Sequence, residues 1–111
     1  MAVLSSTSFA TFPESMKLTT DMTDGASVPY FLWDEELTVA ELRRQLAEGT
    51  GWERDRLLGK MLREARDVDV WCFVSPAMVA EALPRIDRRL GKRRDFWRWL
   101  IDGWREDGFL E

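Results

Sequence analysis

Histidine is absent from this chain of 111 residues, and cysteine occurs only once, at Cys72. Without histidine, the protein lacks the side chain that most often serves as a general base and as a metal ligand. A single cysteine excludes an internal disulfide, which is the main signature of small secreted domains. The sequence also has no Cys-rich metal motif and no Gly-rich phosphate loop. These absences predict a protein that is not an enzyme and that binds no cofactor and no metal ion.

Long apolar segments are missing as well. A membrane-spanning helix needs about 20 apolar residues, and no run in the chain approaches that length. The N-terminus has no basic region followed by an apolar stretch, which a signal peptide would show. A cytoplasmic location without a membrane partner is therefore expected. The single thiol of Cys72 lies among Val70, Trp71, Phe73 and Val74, and this setting favours a buried, inert cysteine.

Aromatic residues are plentiful: six tryptophans occur in the chain, and hydrophobic residues make up 45% of it. This composition is typical of a globular protein, and the length suits one domain. Because large aromatic side chains add buried area to a small domain, we expect most of the tryptophans to lie in the core. Residues 1–28 are rich in Ser and Thr without a sustained period, which predicts a flexible arm preceding a single helical domain over 29–111.

Apolar periodicity predicts an all-α fold of about four helices. Thr38 and Glu41 have the spacing of a capping box, and Thr50 and Glu53 repeat that spacing. Gly49 is placed to end the first helix in the left-handed conformation. Because the linker is so short, the first two helices are predicted to pack as an antiparallel pair.

Two further helices are predicted in the C-terminal half. Ser75 followed by Pro76 is a typical helix start, and Pro84 should limit the length of that helix. The final helix is predicted over about 93–107, because apolar residues recur there with the spacing i, i+3, i+4, i+7. The residues of this core stripe are Trp97, Leu100, Ile101 and Trp104.

Two segments are less regular. Residues 29–33, Pro-Tyr-Phe-Leu-Trp, precede three acidic residues and predict an extended aromatic strap that closes the core. Residues 67–74 alternate only partly between apolar and polar side chains. Since no second strand is predicted to pair with them, a loop or a short helical turn is favoured over a sheet.

Charge is unevenly distributed along the chain, whose net charge is −4. Residues 1–53 contain nine acids and three bases, whereas residues 54–111 contain eleven acids and thirteen bases. Seven of those bases fall between Pro84 and Arg98, against the two acids Asp87 and Asp95. Arginine predominates among them, which suits bidentate contacts to phosphate or carboxylate, although an ordinary solvated helix flank is the alternative.

A partner-binding surface is predicted around this arginine segment. Trp99 lies opposite the core stripe of the final helix, so it is either covered by another segment or offered to a partner. The predicted partner-binding residues are Trp99, Arg85, Arg88, Arg89, Arg93, Arg94 and Arg98.

Four stretches of the sequence carry a family resemblance: Pro-Tyr-Phe-Leu-Trp-Asp at 29–34, Leu-Thr-x-x-Glu-Leu-Arg at 37–43, Ala-Arg-Asp-Val-Asp-Val-Trp at 65–71, and the segment from Leu83-Pro84-Arg85 through Arg89-Leu90-Gly91 to Phe96-Trp97. Over about residues 29–105 the chain resembles a family of short bacterial proteins often encoded beside AbiE-type nucleotidyltransferase toxins. The resemblance implies an antitoxin or accessory subunit and brings no catalytic residue with it.

Two functional hypotheses follow. The first is a protein-interaction module that binds a nucleotidyltransferase-type toxin and restrains it, with Trp99 and the arginine segment as the contact surface. The alternative is a nucleic-acid-binding regulator that uses the arginine-rich segment 85–98, whose affinity would fall steeply with salt.

Overall fold

The computed structural model describes residues 17–110, which are mostly helical. Five α-helices occur within these residues: α1 (Val39–Glu48), α2 (Gly51–Glu64), α3 (Asp67–Val70), α4 (Pro76–Ile86) and α5 (Arg94–Glu106). Three 3-10 helices accompany them, at Tyr30–Leu32, Asp87–Arg89 and Gly91–Arg93. Two short strands, β1 (Leu18–Thr19) and β2 (Val28–Pro29), pair in parallel. The predicted helical class is confirmed at this level, with five helices described rather than about four.

The described residues divide into two compact units, with the boundary between Glu41 and Leu42. In the first unit, the Asp21 carboxylate accepts hydrogen bonds from the Thr23 hydroxyl at 2.5 Å and from the Thr23 N–H at 2.9 Å. These bonds, the hydroxyl bond above all, lower the pKa of Asp21. Residues 17–28 of the predicted arm thus contain hydrogen-bonded turns. Residues 1–16, the rest of that arm, lie outside the described residues.

The aromatic segment after β2 does not form the extended strap that the sequence predicts. Tyr30–Leu32 form a 3-10 helix in which Phe31 and Leu32 are buried, whereas Trp33 is 64% exposed. The N–H of Glu35 donates to the carbonyl of Leu32 at 2.9 Å. Local turn bonds therefore satisfy backbone groups that an isolated extended segment would leave unpaired.

The first predicted capping box is confirmed at the start of α1, and the second is wrong. The N–H of Thr38 donates to Glu41 Oε1 at 2.9 Å, and the N–H of Glu41 donates to Thr38 Oγ1 at 3.2 Å. At the start of α2, the Thr50 side chain makes no capping bond. The Glu53 carboxylate instead binds Arg56, one turn further on, at 2.8 Å. Because Glu53 is paired with Arg56, its carboxylate does not form the capping box with Thr50.

The junction between α1 and α2 also differs from the prediction. The left-handed backbone lies at Gly51, with φ of 76°, and not at Gly49. This glycine redirects the chain, and the main helical contacts of α2 are with α4 and with the 3-10 helices that follow α4, rather than with α1 as an antiparallel partner. The apolar face of α2 decides this packing because it is fully buried. Its buried residues are Leu57, Leu58, Met61 and Leu62.

Residues 67–74 adopt the helical turn that the sequence favours over a strand. They form α3 followed by a turn, and Val70, Phe73 and Val74 point inward at helical spacing. Cys72 falls between these positions and is exposed, so the prediction of a buried thiol is wrong.

The last two helices begin and end close to their predicted limits. The Ser75 hydroxyl accepts a bond from the N–H of Met78 at 3.3 Å, and α4 ends two residues after Pro84. In α5, Trp97 and Ile101 are completely buried, whereas Leu100 and Trp104 are only partly covered. None of the helices described between residues 17 and 110 is long and apolar enough to cross a membrane.

Candidate interaction surfaces

The arginine segment does not form one continuous surface. Arg85 lies near the end of α4, Arg88 and Arg89 lie in the 3-10 helix Asp87–Arg89, Arg93 precedes α5, and Arg94 and Arg98 lie within α5. Two 3-10 helices, Asp87–Arg89 and Gly91–Arg93, separate α4 from α5, so these arginines lie in different elements. Each arginine therefore has its own surroundings.

Arg85 forms ion pairs with carboxylates on two helices. Its guanidinium donates to Asp55 of α2 at 3.0 and 3.2 Å and to Glu81 of α4 at 2.6 Å. The bonds to Glu81 and then to Asp55 raise the pKa of Arg85, and the Arg85 bond lowers the pKa of Glu81. Arg85 thus belongs to the scaffold, where it links α2 to α4.

Arg93 and Arg94 are also engaged within the fold. The Arg93 guanidinium donates to the carbonyl of Ala65, just beyond α2, and lies 5.3 Å from the Phe96 ring centroid and 5.6 Å from that of Trp97. Arg94 lies 3.4 Å from the carboxylate of Asp87. Both arginines help to attach the start of α5 to the preceding segments.

Arg88 and Arg89 lie in a groove with basic residues of α2 that are not among the predicted partner-binding residues. The groove has a volume of about 540 Å³ and runs between α2 and the segment 87–91. We call it the basic groove, and its lining residues are Arg56, Lys60, Arg63, Arg88, Arg89 and Gly91. The α2 cations recur at i, i+4 and i+7, so the helical period already placed them on one face. Sequence alone did not show that the segment 87–91 lies beside that face.

Trp99 is exposed on the outer side of α5, with 70% of its surface accessible. Its ring lies 6.3 Å from that of Phe96, measured between centroids, at an interplanar angle of 39°. The sequence left open whether another segment covers Trp99 or whether Trp99 is offered to a partner. Within the described residues, no segment covers it. Gly103, one turn further along the helix, has open space where a side chain would stand.

Acidic residues, rather than arginines, flank Trp99. At about 100° per residue, positions 95, 102 and 106 lie on the same side of the helix as position 99. All three are carboxylates exposed to solvent: Asp95, Asp102 and Glu106. Arg98 is adjacent in sequence but points about 100° away, toward the flank that holds Arg94 and Arg105. We call Trp99, Phe96 and Gly103 with these three carboxylates the Trp99 surface.

The other tryptophans divide between core and surface. Trp97 is completely buried, and the Trp71 ring packs against those of Trp97 and Trp104 at centroid distances of 5.7 and 5.6 Å. Trp33, Trp52 and Trp99 are instead well exposed, at 64%, 69% and 70%. The expectation that most of the six tryptophans lie in the core is therefore wrong. A small fold with three uncovered indoles has aromatic side chains available for partners.

Among residues 17–110, no group of three or more His, Cys, Asp or Glu side chains is arranged to hold a metal ion. Within the described residues, the second unit has an acidic surface with an exposed indole and a separate basic groove. Comparison with protein-family models, curated proteins and solved structures finds no match for this chain.

Proposed function

We propose that this protein is a non-catalytic, cytoplasmic interaction module, an antitoxin-type subunit that binds a nucleotidyltransferase toxin and restrains it. The observation that carries the proposal is the exposure of Trp99 on the outer side of α5. Tryptophan is among the residues that most often supply the binding energy of a protein interface. An indole that contributes little to its own core is available for that role.

Charge around Trp99 supports a basic partner surface. Asp95, Asp102 and Glu106 lie on the same side of α5, and of these Asp102 has only a long contact, 3.9 Å, with Arg105. An enzyme that binds nucleotides or RNA lines its substrate site with cations, because it must neutralise phosphates. An acidic surface with a central indole is complementary to such a site.

The proposed restraint follows from this complementarity. If the Trp99 surface covers the cationic substrate site, nucleotide and acceptor RNA are excluded by direct competition. No catalytic group is needed on the antitoxin for this effect. The resemblance over residues 29–105 supports a nucleotidyltransferase as the partner, and the contact surface proposed here replaces the arginine segment with the outer side of α5.

Affinity purification from the native host tests this function. Tagged wild-type protein, Trp99→Ala and Trp52→Ala are compared, since Trp52 is equally exposed but lies at the start of α2. We expect wild type and Trp52→Ala to retain a nucleotidyltransferase in stoichiometric amounts and Trp99→Ala to lose most of it. Recovery of no nucleotidyltransferase with wild type would refute the proposed partner. Equal recovery with all three proteins would refute the contact surface.

A further inference from the structure

The basic groove concentrates positive charge in a protein whose net charge is −4. Five cationic side chains line it, and no carboxylate is among the lining residues. Arg56 binds Glu53 at 2.8 Å and Arg63 binds Glu64 at 2.9 Å, so two neighbouring carboxylates offset part of the charge. Arg88 and Arg89 have no carboxylate partner among the described residues, so the lining keeps positive charge, which favours a ligand with several negative charges.

Contacts between α2 and the segment 87–91 hold the groove in shape. The Arg63 guanidinium donates to the carbonyl of Arg89 at 3.1 Å, which ties the segment 87–91 to α2. The aliphatic stem of Arg89 lies against Gly59, where an added Cβ would be 3.4 Å from Arg89 Cδ. Gly91 has φ of 55° and leaves the far end of the groove without a side chain.

Within the described residues, the guanidinium groups of Arg88 and Arg89 form no ion pair and are available to a ligand.

The lining chemistry selects phosphates over an acidic peptide. A peptide partner is usually anchored by aromatic or aliphatic side chains in an apolar pocket, and the groove has only arginines, a lysine and a glycine. Guanidinium forks match phosphate oxygens in bidentate geometry. Arg56, Lys60 and Arg63 extend over about 10 Å of helix, and one strand of a nucleic acid presents about three phosphates over that distance.

We propose that the basic groove binds the sugar–phosphate backbone of a nucleic acid strand, without recognising its bases. No aromatic ring lines the groove, so base stacking is not available there. The site differs from the segment 85–98 considered from sequence, because three of its five cations come from α2. It is also separate from the Trp99 surface, and it does not depend on a toxin partner.

Fluorescence anisotropy with a labelled uridine homopolymer of about 15 nucleotides tests the site in the full chain. The groove variant carries Arg88→Gln with Arg89→Gln. The matched control carries Arg44→Gln with Arg98→Gln, which removes the same charge from two exposed arginines outside the groove. Affinity is measured over a series of salt concentrations, and a glutamate homopolymer is used as a competitor of similar charge.

We expect the groove variant to bind at least about tenfold more weakly than wild type and the control to change less than about threefold. Loss of two phosphate contacts should also reduce the magnitude of the salt slope by about 1.4. Arg88→Gln alone should give about half that reduction, which provides a second test should the double variant fold poorly. Equal losses in groove variant and control, no binding by wild type, or equally effective competition by polyglutamate would overturn the assignment.

Discussion

The indole N–H of Trp97 donates a hydrogen bond of 2.8 Å to the carbonyl oxygen of Leu62, in the last turn of α2. Carbonyls in the last turn of a helix have no partner within that helix, so the bond satisfies a group that would otherwise be buried and unpaired. Arg93 does the same for the carbonyl of Ala65. The beginning of α5 therefore caps the end of α2, and the side of α5 that faces away from this contact carries Trp99.

Replacing Trp97 with Phe should destabilise the fold, because the Leu62 carbonyl loses its donor and the smaller ring leaves a void in the core. We expect a loss of about 1–3 kcal/mol in the free energy of unfolding, measured by urea denaturation. Trp99→Phe is the matched control and should change that free energy by less than about 0.5 kcal/mol. Similar losses in the two variants would contradict the different roles assigned to the two tryptophans.

Truncation of Trp99 should separate binding from stability. Trp99→Ala should leave the thermal midpoint nearly unchanged, because its ring is mostly in solvent. The same variant should bind the toxin at least about tenfold more weakly, as expected for an interface anchor. Trp52→Ala should change neither quantity appreciably. A large drop in the midpoint for Trp99→Ala would show that this indole supports the core.

The carboxylates beside Trp99 should act mainly on the rate of association. Asp95→Asn with Asp102→Asn removes two exposed negative charges from the Trp99 surface while keeping the side-chain shapes. We expect slower association and a weaker salt dependence of that rate, with a smaller change in dissociation, measured by surface plasmon resonance. Arg98→Gln with Arg105→Gln, on the other flank of α5, is the control. An association rate that does not respond to the paired Asp substitutions would argue against a cationic partner surface.

Arg85 should prove to be structural rather than partner-binding. Arg85→Gln removes the bonds to Asp55 and Glu81, so its thermal midpoint should fall by a few degrees at neutral pH, with no change in partner affinity. The pKa of Glu81 lies below its usual value of 4.5 in the folded protein, so the associated stability is complete above that value and is lost as pH falls through the lowered pKa. The midpoints of wild type and variant should therefore converge in acid. A constant difference at all pH values would contradict this role.

Local patterns predicted the helices well because the physics that forms them is local. The capping box of Thr38 and Glu41, the start at Ser75 and the apolar stripe of α5 depend only on residues within a few positions. The same rules failed at Thr50 because Glu53 has a competing cation, Arg56, one turn away. Cys72 was misplaced because its apolar neighbours in sequence point inward from a helical turn, whereas the cysteine points outward.

The candidate surfaces were harder to predict because they depend on which segments meet in space. The off-stripe position of Trp99 followed from helical geometry, but its exposure could not, since coverage requires another segment. The arginines between 85 and 98 were grouped by sequence distance, and the 3-10 helices at Asp87–Arg89 and Gly91–Arg93 place them in different elements. Arg88 and Arg89 instead join Arg56, Lys60 and Arg63, about thirty residues earlier in the chain.

A nucleotide-transfer assay measures whether the protein inhibits the toxin through Trp99. The nucleotidyltransferase recovered with the wild-type protein is assayed for nucleotide transfer while wild type, Trp99→Ala or Trp52→Ala is titrated into the reaction. We expect stoichiometric inhibition by wild type and by Trp52→Ala, and we expect the same inhibition to need at least about tenfold more Trp99→Ala. Full transfer activity at saturating wild-type protein would refute the proposed restraint, and equal inhibition by Trp99→Ala would refute the role of Trp99.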